Sequence, residues 1–577
     1  MNIRTDSNWP AVMLVAAVAT LASAPFLIFG APYGEDMHIH LSWSHQFTQQ
    51  LWSGEAYPRW LSDLNGGAGS PTFFYYAPLP YYVSGIFGPL LCPGCRPETH
   101  LAIGLWLLLL ASGVTFYAFA RRYGGPWMAA AGAILYMLMP YHYEMDLWRR
   151  FDYGEVAAYV WMPLVLLALE KTLEDRRYLP ACAVAYAGLL LSHLPATLLF
   201  SLFLAVHAAL QSAHHKSLRP MLLLGAMVAL GAGLAGLYLV PALATQNYVY
   251  AQQMYVPRTG APHRLWNYEY FNYRNWLFLD GRNEPSTRDA SRVRNGLIGG
   301  TLMFALLSIV VYRAKGRQAW REIAPWLLAL SLVWFIVTPL CIPLFEFIPL
   351  FKEVDFPFRI VMVADLAVAT LFVVALHVAW QRRDRVSQGL IGFAGAMLLG
   401  FLVLSGGRFA YNLRPYPTLL APFQTREVIE DHAAKLAAGW DSLEFFTPVW
   451  TKLSFEDFRS AVATIPRVEA VAGDAGEVRI LRWAPRNIRL HLDLPKAAPV
   501  TVRQFYFPGW RARDLASGSK LAVSPSDPTG LVTIDAPAGH YDIELQLTPL
   551  WQERVGDGLS VLTLLALGGL VLIQRRH

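Results

Sequence analysis

The stretch APYGEDMHIHLSWSHQFTQQLW, which begins at Ala31, gathers Glu35, Asp36, His38, His40 and His45 directly after a long apolar run. If residues 36–52 form a helix lying on a membrane surface, Asp36 and His40 fall one turn apart on one face, while Leu41, Phe47 and Trp52 face lipid. A carboxylate beside an imidazole can hold a divalent cation such as Mg or Mn, or act as a general base with its orienting partner. Asp36 would equally suit the positive end of a solvated helix, so spacing leaves both readings open. His45, a turn beyond His40, is read as surface.

The segment continues as GEAYPRWLSDLNGGAGSPTFFYYAPLPYY, which adds Asp63, Asn65, Tyr75 and Tyr76. Aromatic faces beside amide and carboxylate groups suit a sugar, with its apolar C–H faces and many hydroxyls. An aromatic belt at the membrane interface accounts for Tyr75, Tyr76, Tyr81 and Tyr82 as well, though not for Asp36, His38 or Asp63.

These residues need a scaffold, and composition indicates which kind. Of 577 residues, 55% are hydrophobic and only 15% charged, and the apolar residues come in runs of about bilayer length. This is the pattern of a polytopic α-helical membrane protein. Spans are expected at roughly 10–30, 100–120, 126–143, 156–171, 178–192, 193–212, 221–246, 296–313, 324–343, 358–380, 388–405 and 558–574, about twelve in all. LASA at Leu21–Ala24 resembles a signal-peptide cleavage site, but the apolar run continues past it to a full crossing, so an uncleaved first span is expected.

The net charge of +6 sits in short basic clusters between apolar runs, which is a topological pattern and implies no nucleic acid partner. Arg121 and Arg122, EKTLEDRR, HHKSLRP, RAKGRQAWR, QRRDR and QRRH all fall on one side, which the positive-inside rule assigns to the cytoplasm together with both termini. The opposite side receives residues 31–99, the short YHYEMDLWRRFDYGE loop, the aromatic loop 247–295 and region 406–556. PLPYYVSGIFGPLL is too short to cross and is read as an interfacial or re-entrant helix. Cys92 and Cys95, in CPGC, form either a disulfide-closed turn or an unpaired CxxC.

The expected organisation is a transmembrane domain at 1–405, an extracytoplasmic domain at 406–556, and a last span with a short tail at 557–577. VRILRW, IRLHLDL, VTVRQFYF, LVTIDAP and YDIELQL alternate with period two between turn-forming AAP, PGW, SPSDPTG and PAGH, which predicts a small antiparallel β-sandwich after a mixed helical stretch at 424–460. The loop at 247–295 is long enough for a lid or acceptor groove. No P-loop, GxGxxG, HExxH or zinc-spaced pattern stands out, so soluble nucleotide chemistry is not indicated.

Several blocks in order, GEDMHIHLSW through PLPYY, WRRFDYGEVAAYVWMPLVLLAL, LSHLPATLL, FPFRIVMVADLA, EFFTPVW and FYFPGWRAR, resemble the bacterial membrane proteins labelled 6-pyruvoyl-tetrahydropterin-synthase-related. That label is historical and implies no pterin chemistry. These proteins belong to the GT-C class of multispan glycosyltransferases, and the resemblance covers nearly the whole chain. It implies a GT-C-like fold with two interfacial helices, at about 37–52 and 77–91, and an acidic catalytic residue just after the first span. Asp36 matches that position and Glu35 is its substitute; His38 or His40 would orient the base or help hold a metal.

The implied reaction is an inverting transfer of a sugar from a polyprenyl-phosphate carrier, in a bacterial inner membrane, to an envelope glycan, lipid or protein acceptor on the periplasmic face. Arg149, Arg150 and Arg359, at the outer ends of spans, suit the donor phosphate. Arg149 and Arg150 could instead pair with Asp146 and Asp152. Asp63, Tyr75, Tyr76, Glu155 and His193 are the candidates for acceptor or sugar binding, and Lys352, Glu353 and Asp355 precede Arg359 along the same cavity or a solvated loop. Two rivals share the many spans: a transporter of lipid-linked saccharides, which would place ionisable groups near the midplane, and a non-catalytic envelope-assembly protein.

Overall fold

The computed structural model describes residues 8–29, 36–250, 285–348, 354, 356–382, scattered positions between 385 and 400, 446–470 and 476–576. Most of the span expected at 388–405, most of the 247–295 loop and the first part of the 424–460 stretch lie outside the described residues.

The protein is mostly helical, with a C-terminal β region. Trp9–Phe29 contains no charged residue over 21 positions, so it is about 31 Å of uninterrupted apolar helix, enough to cross a bilayer. Among the described residues seven segments have the length and hydropathy of a crossing: Trp9–Ile28, Pro97–Ala120, Tyr153–Glu174, Leu194–His215, Val293–Ile336, Pro357–Arg382 and Trp551–Gln574. Arg219–Leu234 and Gly236–Ala244, bent by 80° at their junction, make an eighth if taken as one span. Val293–Ile336, at 44 residues, holds two consecutive helices over the spans expected at 296–313 and 324–343. Pro126–Leu138 and Leu179–Leu190 have only 13 and 12 residues, about 18–20 Å of helix against a hydrocarbon layer of about 30 Å.

Met37–Trp52 and Leu79–Leu91 are the two helices expected in the first loop, and they pack together. Ser44 Oγ lies 2.9 Å from Ser84 Oγ, and Trp52 Nε1 donates to the Gly85 carbonyl at 2.8 Å. This contact corrects the expected lipid face. Leu41 and Phe47 are fully buried, because the Phe73, Tyr81 and Tyr82 rings surround Phe47, and only Trp52 is exposed. Cys92 and Cys95 are joined in a disulfide just beyond the second helix.

Among the described residues nine strands follow Phe455–Thr464: β1 (Val468–Ala470), β2 (Glu477–Ala484), β3 (Asn487–Leu494), β4 (Ala498–Phe505), β5 (Trp510–Asp514), β6 (Lys520–Leu521), β7 (Val523–Pro525), β8 (Leu531–Ala536) and β9 (Gly539–Leu547). They form two antiparallel sheets, β1-β4-β8-β7 and β2-β3-β9-β5-β6. The period-two pattern is the cause: Ile488, Leu490, Leu492 and Leu494 of β3 all point inward, while Asn487, Arg489, His491 and Asp493 do not.

This β region grips the first loop. Trp60 Nε1 donates to Gln504 Oε1 at 2.8 Å, and the Gln504 amide donates to the Ser62 and Gly67 carbonyls at 2.9 and 2.7 Å. Arg59 reaches Glu553 at 3.1 Å and Asp557 at 3.0 Å on the last helix, Trp551–Arg576, and Arg486 at the turn between β2 and β3 also holds Glu553, at 3.2 Å.

That last helix seats against Gly236–Ala244 through glycine. A Cβ added to Gly556 would lie 2.5 Å from the Gly236 carbonyl oxygen, whereas one added to Gly558 meets nothing. Gly556→Leu is expected to destabilise this seat by about 1–3 kcal/mol, seen as faster release of a C-terminal fragment in limited proteolysis, with Gly558→Leu unchanged. Equal protease resistance in both variants would show the contact to be dispensable.

Candidate active site

The short outer loop predicted around YHYEMDLWRRFDYGE is a π-helix, Tyr141–Arg150, and it carries most of the site. Its wider winding ends at Phe151, whose φ of 57° is left-handed although the residue is not glycine. Phe356, three residues before Arg359, has the same φ of 57°. Such conformations cost on the order of 1–3 kcal/mol and persist only where the surroundings impose them. Here they turn the two arginine-bearing segments toward each other.

Arg150 is buried and contacts three carboxyl groups: Asp146 at 3.1 Å, Asp152 at 3.0 Å and Glu155 at 2.8 Å. Arg359 joins from the other segment, 2.9 Å from Asp152 and 3.4 Å from Glu155. Tyr141 donates its hydroxyl to Glu155 at 3.0 Å. Phe356 and Phe358 lie under the Arg150 guanidinium at 5.6 and 5.4 Å, so the charges are held between aromatic faces. Asp152 also caps the Tyr153–Glu174 helix by accepting from the Glu155 N–H at 3.0 Å.

Two guanidinium groups thus face three carboxyls. Burial, with Glu155 beside it, pushes the Asp146 carboxyl well above the usual range. Burial also opposes ionisation of Asp152, but Arg359, His193 and Arg150 outweigh it and hold that carboxyl well below the usual range. Arg359 Nε is nevertheless buried with no acceptor among the described residues.

His193 closes the cluster. It caps Leu194–His215 by accepting from the Ala196 N–H at Nδ1, and its Nε2 lies 2.5 Å from Arg359 and 3.8 Å from Asp152. A neutral ring has one bare nitrogen, so it accepts from Arg359 or from the Ala196 N–H, not from both. Gly154 makes this approach feasible, since a Cβ there would lie 3.0 Å from the His193 ring and 3.4 Å from the Tyr76 hydroxyl.

The opening residues meet this cluster. Asp36 stands at the N-terminus of Met37–Trp52, and its N–H donates to the Arg150 carbonyl at 2.9 Å. His40, one turn on, is buried; its Nδ1 lies 2.6 Å from the Tyr81 hydroxyl, with Tyr76, Phe151 and Tyr153 around the ring. His38 is half-buried on the same first turn, and Arg149 half-buried beside Arg150.

Asp36, His40, Tyr76, Arg150, Glu155, His193 and Arg359 are therefore assembled in one place. Asp63 and Tyr75 are not. The left-handed turn at Asn65, Gly66 and Gly67 directs that segment to the β region, where Asp63 faces Arg467 at 3.9 Å. Tyr75 donates to the Thr245 carbonyl at 2.8 Å and stacks on Phe446. Glu35, Lys352, Glu353 and Asp355 lie outside the described residues.

A family model described as the 6-pyruvoyl-tetrahydropterin synthase related domain, a membrane protein, matches residues 73–412. The chain belongs to this family. The matched region holds Tyr75, Tyr76, Arg149, Arg150, Glu155, His193 and Arg359, whereas Asp36, His38, His40 and Asp63 precede it. No curated protein matches the chain in sequence. Among solved structures, the apo oligosaccharyltransferase of Archaeoglobus fulgidus overlaps 80% of this chain at 11% identity and a TM-score of 0.39. The overlap covers 60% of the length of that enzyme. ArnT from Cupriavidus metallidurans overlaps 63% of this chain and 77% of its own in the apo state, at 14% identity and a TM-score of 0.29. Bound to undecaprenyl phosphate it overlaps 81% and 97%, at 13% identity and the same score. Overlaps this loose decide neither fold nor reaction.

Three features of the family member's site lie beyond the sequence reading. Tyr81, assigned there to an aromatic belt, is fully buried as the partner of His40. Asp152 is the hub of the cluster rather than one of two alternative partners for arginine. Asp365 is buried inside Pro357–Arg382, where it accepts from the His142 N–H and the Tyr159 hydroxyl. Its only local signal is a carboxylate inside an apolar run. Among the described residues no group of three or more His, Cys, Asp or Glu has the arrangement of a metal site. The cluster carboxyls are committed to guanidinium groups, so no step below is routed through a cation.

Burial pushes the His40 imidazole down to about 4 and His193 down to about 3. Both are neutral in the folded protein near pH 5, while the unfolded chain protonates below about 6.5, so each withdraws stability as the pH falls from about 6.5 toward its folded value. Asp146, raised by burial, acts in the opposite sense. In the difference between parent and His40→Gln the other groups cancel. The parent is expected to lose roughly 1.4 kcal/mol more per pH unit between pH 6 and 4.5, read from unfolding midpoints in detergent. Parallel pH profiles would place the His40 proton affinity at its ordinary value.

Proposed function

We propose that this protein is a membrane glycosyltransferase that moves a sugar from a polyprenyl-phosphate carrier to an extracytoplasmic envelope acceptor. The observation that carries the reading is the hydrogen bond from the Asp36 N–H to the Arg150 carbonyl, which fixes the candidate base beside the buried arginines. Asp36 takes the proton of an acceptor hydroxyl as that oxygen bonds to the anomeric carbon. The anomeric C–O bond to phosphate breaks, and the lipid phosphate leaves with the electron pair.

In this reading Arg359 Nε is the donor open to a phosphate oxygen, and Arg149 lies on the adjoining turn. Arg150, fully engaged by carboxyls, holds the loop in shape. His38 and His40 position Asp36, with Glu35 next to it in the chain; Tyr76, Glu155 and His193 bound the sugar side. In this reading the site faces the periplasm of a bacterial inner membrane with both termini cytoplasmic, an orientation the basic clusters support. The β region, closed over the first loop, is an extracytoplasmic cap.

The test is the envelope glycan composition of a deletion strain. One sugar should disappear, return with the parental gene, and stay missing with Asp36→Asn. An unchanged glycan profile in the deletion strain overturns the reading.

A second reading has its own support. Asp365, buried in the interior of an apolar helix, and the 80° break between Arg219–Leu234 and Gly236–Ala244 are features of transporters. Proteoliposomes in which a lipid-linked saccharide crosses the bilayer without sugar transfer would favour it.

A further inference from the structure

A narrow cleft opens between the start of the π-helix, Pro285–Lys315 and Val361–Arg382. Met145, Leu297, Val361 and Val368 give it apolar walls, and Glu144 and Asp365 are the carboxylic side chains that line it. Asp365 is only 3% exposed. Both of its hydrogen bonds use Oδ2, from the His142 N–H at 3.3 Å and the Tyr159 hydroxyl at 3.1 Å. Among the described residues no protein donor reaches Oδ1, which is left to the cleft. A carboxyl within an apolar helix that is satisfied on one oxygen alone is costly unless something else meets the other.

We propose that the cleft binds a hydroxyl group carried on an apolar chain, a lipid alcohol, with the hydroxyl paired to Asp365 Oδ1. A hydroxyl both donates and accepts, so it satisfies this oxygen whether the carboxyl is ionised or protonated; an ammonium or an ether serves only one of those states. A phosphate is disfavoured because two carboxyl side chains line the space. A narrow apolar cleft follows the shape of an alkyl chain rather than a sugar ring. Tyr141 also lines the cleft while donating to Glu155, so an occupant would touch the charge cluster through one side chain. The proposal rests on this geometry and does not require the transferase reading.

Photolabelling of the purified full-length protein in nanodiscs tests it. The probes are a diazirine-bearing dodecyl alcohol, its methyl ether and its phosphate monoester at equal concentration, with labelled peptides identified by mass spectrometry. The alcohol should label residues 293–300 and 361–368 roughly 2- to 10-fold more than either analogue, the range one hydrogen bond supplies. Asp365→Leu should reduce alcohol labelling to the ether level. Asp365→Asn, whose amide oxygen keeps the His142 and Tyr159 bonds and whose NH₂ faces the cleft, should raise ether labelling toward that of the alcohol. Equal labelling by all three probes, preference for the phosphate, or alcohol labelling unchanged in Asp365→Leu overturns the proposal. Sugar transfer is not part of the readout, so a failed transferase assay leaves this outcome independent.

Discussion

Asp36→Asn is expected to reduce sugar transfer by about 10²–10⁴-fold in proteoliposomes supplied with a polyprenyl-phosphate-linked sugar, while leaving the protein folded. The size follows from the role. Asn has nearly the shape of Asp but cannot take a proton from the acceptor hydroxyl, so the nucleophile must attack unassisted. The fold should tolerate the change: Asp36 holds its place through a backbone N–H to the Arg150 carbonyl, which Asn retains, and its side chain does not cap Met37–Trp52. An unchanged melting profile with lost transfer would locate the defect in chemistry. Transfer at the parental rate would remove Asp36 as the base.

Arg150→Met should have the largest effect on stability. It leaves Asp152 and Glu155 sharing Arg359 and Asp146 with no guanidinium contact among the described residues, and removing one side of a buried charge network costs about 3–5 kcal/mol. Aggregation on detergent extraction, or a strongly lowered unfolding midpoint, is the expected outcome. Adding Glu155→Gln should restore part of the loss, because one stranded charge is then gone. Arg150→Lys should fall between, since a single ammonium cannot serve three carboxyls in the fork geometry of guanidinium. A single Met variant that melts like the parent would mean that the carboxyls are neutral and the arginine contributes little.

Local pattern made part of this architecture legible. Period two in IRLHLDL gives β3 and its buried face, and the first-loop helices begin and end close to where the residues between Asp36 and Trp52 and around PLPYY require. Arg150 has acidic neighbours within five positions, so pairing was a legible alternative to phosphate binding. What closes the site comes from far along the chain. Tyr81 meets His40 across 41 positions, Arg359 meets His193 across 166 and Asp365 meets His142 across 223. Periodicity carries no information at those separations. The number of crossings is less legible for a related reason: a dozen apolar residues bounded by charges look alike whether the helix spans lipid or is buried in protein.

The Arg59–Glu553 contact also has a consequence for biosynthesis. Its partners are 494 positions apart, so at roughly 5–20 residues per second the ribosome delivers Glu553 about 25–100 s after Arg59. Through that interval the segment between the two first-loop helices lacks its anchors on the last helix, and through most of it the anchor on β4 as well. Translational arrest before that helix would leave Arg59 without both of its carboxylate partners, Glu553 and Asp557.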